Sequence, residues 1–165
     1  MRIRAFPIIV LVVVVLIAHQ SAAAELPKCH EEETSLPDGW QQIQALGEDI
    51  TFALPPDITL AEPQPKFMHG GTLWAKPGLT VTLMYGMWGM SSFNVEGANR
   101  VCQTQISGIP VVLVVRSGKN GNNMTAWMQT KAEPYEPVLS IDFADWDDIA
   151  VARHVIGSAQ RSSTR

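Results

Sequence analysis

Between residues 49 and 143 the apolar residues come in short runs, and a turn signal closes nearly every one. Ile50, Phe52 and Leu54 alternate with Asp49, Thr51 and Ala53 until Pro55 and Pro56 stop the pattern, which is a strand by period and by terminator. After a proline-spotted loop, residues 72–75 and 79–85 flank Lys76, Pro77 and Gly78 and predict a hairpin. Residues 101–106 and 110–116 flank a Ser107, Gly108 turn. Val111 to Val115 is continuously apolar, the mark of a central strand covered on both faces. Residues 117–123 are rich in glycine and asparagine, and residues 124–130 then alternate again, so these two runs form the clearest hairpin of the chain. Residues 138–143 supply one more strand, while residues 93–100 are polar and read as a loop or a short helix.

A different period closes the domain. Ile149, Ala152, Val155, Ile156 and Ala159 recur at helical spacing and make one apolar stripe. Asp145 is placed to cap this helix, and Asp147 and Asp148 in its first turn suit the positive end of the helix dipole. Hairpins followed by one helix, with no alternating β-α-β rhythm, predict an α+β domain: an antiparallel sheet with a C-terminal helix packed on it.

The early strand Ile50, Thr51, Phe52, Ala53, Leu54, Pro55, Pro56, the antiparallel runs after it, and the final helix reading Ala152, Arg153, His154, Val155, Ile156, Gly157, Ser158 are similar in order and spacing to the PsbP-like fold group, which also includes the Mog-type Ran-binding proteins. The resemblance spans residues 40–160. It implies an αβα sandwich, and a binding or assembly role rather than catalysis. It carries over no functional residue.

Ahead of the domain, Arg2 and Arg4 lead an apolar run over residues 5–18, and His19, Gln20 and Ser21 then give way to three alanines. That is the layout of a secretory signal peptide over residues 1–24, cleaved before Glu25. The run is short of the roughly 20 residues that span a bilayer. Leu26 stands three before Cys29 as in a lipobox, but Pro27 and Lys28 occupy places that need small residues. Residues 25–39, with Glu31, Glu32 and Glu33 and a Pro37, Asp38, Gly39 turn, read as a polar lead-in on which Trp40 and Ile43 begin the core. Residues 40–160 are the single domain and 161–165 a polar tail.

The expected compartment is periplasmic or extracellular, and the cysteines are read in that light. Cys29 and Cys102 are the chain's two cysteines, and an even pair in an oxidising space predicts a disulfide. A redox role is disfavoured because no C-x-x-C turn is present to lower a thiol pKa. The net charge of −4 becomes more acidic once Arg2 and Arg4 leave, and the basic residues are spread singly. Both facts exclude the clustered cations of a nucleic-acid binder.

No nucleophile elbow, dinucleotide fingerprint, Walker loop or zincin helix is present. The chain therefore reads as a non-enzymatic binding or accessory domain, its partner a protein or a small apolar ligand of the cell envelope, with no membrane span after cleavage and no cofactor. An unrecognised hydrolase is one alternative. The other is a Cu(I) protein: Met84, Met87 and Met90, with Met68 and His69 upstream, offer soft ligands, provided that Gly86 and Gly89 bend the chain enough to gather the sulfurs. His30 beside the glutamates could join a metal site, whereas His154 falls away from the apolar stripe and is expected in solvent. Trp74, Trp88 and Trp127 could line a ligand groove or simply pack. Asp142, Asp145, Asp147 and Asp148 cluster, but not at EF-hand spacing. Asn123, Met124, Thr125 is a formal glycosylation sequon.

Overall fold

The computed structural model describes residues 26–29, 36–44, 50–66, 70–86, 95–119, 121–130 and 136–161. The leader, the glutamate run, His30, Met68, His69, Met87, Trp88 and Met90 lie outside the described residues. Ten strands are described: β1 (Gln41–Gln44), β2 (Ile50–Leu54), β3 (Thr59–Leu60), β4 (Gly71–Lys76), β5 (Leu79–Gly86), β6 (Arg100–Ile106), β7 (Ile109–Gly118), β8 (Gly121–Met128), β9 (Glu136–Phe143) and β10 (Gln160–Arg161). A 3-10 turn (Trp146–Asp148) leads into helix α1 (Ile149–Gly157). The larger sheet has seven strands in the order β3-β4-β5-β9-β8-β7-β6, and a smaller one runs β1-β2-β10. Every strand pair is antiparallel, and the domain is α+β.

Local chemistry explains the hairpins. Ile106 pairs with Ile109 across Ser107 and Gly108, whose φ values of 48° and 76° are the two left-handed positions of a type I′ turn. The β7–β8 loop is tighter than its composition implies, because pairing continues from Ser117–Asn122 to Gly118–Gly121. Residues 96 and 97 form a turn rather than the short helix entertained for that region.

One face of the large sheet is the core. Leu79, Val81 and Leu83 of β5, Leu139, Ile141 and Phe143 of β9, and Met124, Ala126 and Met128 of β8 are buried there. They pack against Ile50, Phe52 and Leu54 of the small sheet and Ala152, Val155, Ile156 and Ala159 at the end of the chain. Trp40 and Ile43 close over this cluster as expected. Ser158 ties the helix to the small sheet: its Oγ accepts from Ala53 N at 2.8 Å and donates to Val155 O at 2.7 Å.

Four expectations need correction. β7 is not central; it lies next to the edge strand β6, and its apolar run reflects burial of Val111 on one face and of Val112 and Val114 on the other. Asp145 caps the 3-10 turn, accepting from Asp147 N at 3.1 Å, while α1 starts after Asp148 with no side-chain cap. Arg161 is not tail: it pairs with Ile50. His154 is half-buried, edge-on to Trp40 with ring centres 5.7 Å apart, because Trp40, just ahead of β1, packs against the helix.

The disulfide joins Cys29 to Cys102 across 73 residues. It fixes residues 27–29 to the edge of the sheet through a single parallel bridge between Lys28 and Gln103, where Cys29 N donates to Gln103 O at 2.9 Å and Gln103 N donates to Pro27 O at 2.8 Å. Among the described residues, no helix is long and apolar enough to cross a membrane.

Candidate functional site

Helix α1 leans on β2 and β9, so it leaves the β6–β7 end of the core face partly bare. The result is a groove of about 890 Å³ between α1 and the sheet. Its floor is Ile106, Val111, Leu113, Val115 and Met124, and its helix wall is Ile149 and Ile156. Leu113, Val115 and Ile149 belong to the core by register yet are only half-buried. Trp146, 47% exposed and stacked on Phe143 at 5.5 Å, stands over one end. The far wall is the disulfide-tied segment with Lys28 and Cys29.

The opposite face of the sheet has a different character. Thr82, Thr125 and Ser140 are buried there, and Asn123 Nδ2 donates to Ser140 Oγ at 2.9 Å and Asp142 Oδ1 at 2.8 Å while its Oδ1 accepts from Thr125 Oγ1 at 2.7 Å. The sequon asparagine is thus half-buried in a strand with its amide engaged in hydrogen bonds.

At the start of β9, Glu136 Oε2 is buried without a hydrogen-bond partner, and burial raises its carboxyl above the usual carboxylate range. Stability contributed by the protonated form is fully present below the ordinary carboxylate pKa and is lost as pH rises through the raised value. Glu136→Gln is therefore expected to flatten this fall. Urea midpoints should converge in acid and separate above it with the variant more stable; parallel pH profiles would contradict the burial.

The other sequence candidates are dispersed. Met84 pairs with Gly71 and Val138 and is half-buried, its side chain alternating away from core residue Leu83 and so away from the groove. The remaining members of the copper set fall outside the described residues. Trp74 is buried edge-on against Phe52, a packing residue, and Trp127 is half-buried opposite Val112. Among the described residues, no group of three or more His, Cys, Asp or Glu gathers as a metal set. Asp142 and Asp145 are instead used in the hydrogen bonds above. Sequence reasoning missed the groove, and Trp146 as its rim. An aromatic beside acids at a helix start was the one local signal, and it reads equally well as a capping segment.

No protein-family model and no curated protein matches the chain. Among solved structures, the chain is similar to the solution structure of cyanobacterial PsbP (CyanoP) from Synechocystis sp. PCC 6803, at 6% identity and TM-score 0.57, over 75% of this chain and 93% of that one. A crystal structure from Bacteroides thetaiotaomicron VPI-5482 aligns at 10% identity and TM-score 0.46, over 76% of this chain and 49% of that one. The chain has a PsbP-like fold.

Proposed function

We propose that this chain is an exported, non-enzymatic binding domain whose groove between α1 and the β6–β7 end of the sheet seats an apolar ligand segment. The observation that carries the reading is the half-exposure of Leu113, Val115 and Ile149, which register and period assign to the core. Apolar surface left open in a concave site of this size suits a small-molecule or acyl ligand, since such sites commonly span about 300–1,000 Å³. The PsbP-like fold is compatible with an accessory role, and the disulfide suits an oxidising compartment.

Titration of mature protein (residues 25–165) with the neutral fluorophore N-phenyl-1-naphthylamine tests the reading. Saturable enhancement is expected, and Leu113→Glu, which puts a carboxylate on the groove floor, should weaken it at least roughly tenfold. Unchanged binding by a folded Leu113→Glu variant, or none by the parent, rules the groove out. Export is tested separately by mass spectrometry of the native protein: a chain beginning near Glu25 and oxidised supports it, and a full-length reduced chain in the cytosol overturns it.

A further inference from the structure

Charge at the groove runs against the charge of the whole. The chain is net negative at −4, yet the described residues lining the groove include Lys28, Arg100 and Arg153 and no Asp or Glu. Lys28 and Arg100 are exposed at its rim, and the backbone holds both in place. Lys28 is flanked by the two backbone bonds to Gln103 and by the disulfide. Arg100 opens β6 opposite Val115, and the residue before it is anchored by Asn99 N donating to Val115 O at 2.9 Å. An apolar trough edged by cations matches a molecule with an apolar chain and an anionic end.

Resting on the groove reading above, we infer that the ligand is a single-chain anionic amphiphile, its hydrocarbon lying along Leu113, Val115 and Ile149 and its acidic head at Lys28 and Arg100. The apolar part supplies affinity through burial, and the rim supplies preference for charge sign. Because the cations are exposed, the preference weakens as salt rises.

The test is calorimetric titration of the mature, oxidised protein with dodecanoate, dodecanol and dodecyltrimethylammonium below their micellar concentrations. Dodecanoate is expected to bind about tenfold tighter than dodecanol, and the cation more weakly than both. Lys28→Glu with Arg100→Glu, both exposed and outside the core, should abolish or reverse that order in a variant whose cooperative melting transition shows that it is folded. Equal affinity for acid and alcohol, or a preference that survives charge reversal, overturns the inference but leaves the groove reading standing. Failure of all three chains to bind removes both.

Discussion

The double variant Cys29→Ser with Cys102→Ser is expected to lose about 4 kcal/mol of stability, because the bridge closes a loop of 73 residues and restricts the unfolded chain accordingly. The folded state supports the full effect. The bridge does not hang from a free end: residues 27–29 are hydrogen-bonded to Gln103 on both sides, so breaking it also frees the outer edge of β6. Urea denaturation should show a lower midpoint, and dithiothreitol-reduced parent protein should match the variant, which separates loss of the bridge from loss of the cysteine side chains. Amide exchange at Gln103 should accelerate first, since its partner is Pro27 O. A midpoint unchanged by reduction would mean that the N-terminal segment contributes nothing to the folded sheet.

What was legible in the sequence follows from how local each determinant is. The hairpins joining β4 to β5, β6 to β7 and β7 to β8 each carry their turn residues between two apolar-rich runs, so neighbours in sequence were enough to predict them. The terminal helix announced itself through its stripe, and the disulfide through an even pair of cysteines. β1, β3 and β10 were illegible because they are two to four residues long and exist only through partners far away in sequence: Gln160 pairs with Thr51. β7 was misplaced for a related reason, since a run of valines records burial on both faces and not distance from the sheet edge. The groove was least legible of all. Leu113 and Val115 look like core in any local pattern, and only the position at which α1 crosses the sheet leaves them half-open. Its cations come from three separated elements whose proximity no spacing rule reveals.

The second large effect tests how the two sheets are joined. Phe52 is fully buried and lies at the middle of β2, opposite Ile43 of β1. Its ring meets Trp74 of β4 edge-on, with centres 5.3 Å apart and planes at 88°. This pair links the small sheet to the large one. Phe52→Ala removes a buried ring and leaves a cavity walled by strands that are hydrogen-bonded on both sides, so relaxation is limited and a loss of about 3–5 kcal/mol is expected. For a domain of this size that lowers the melting temperature by roughly 15 °C. Part of the loss belongs to the edge-to-face contact, worth about 0.5–1.5 kcal/mol beyond area burial. A double-mutant cycle with Trp74→Leu should recover that part as coupling. Phe52→Leu keeps most of the volume and should cost less than the alanine variant, with an unchanged denaturant slope. A loss below about 1 kcal/mol for Phe52→Ala, with no coupling to Trp74, would show that β2 does not hold the small sheet against the large one.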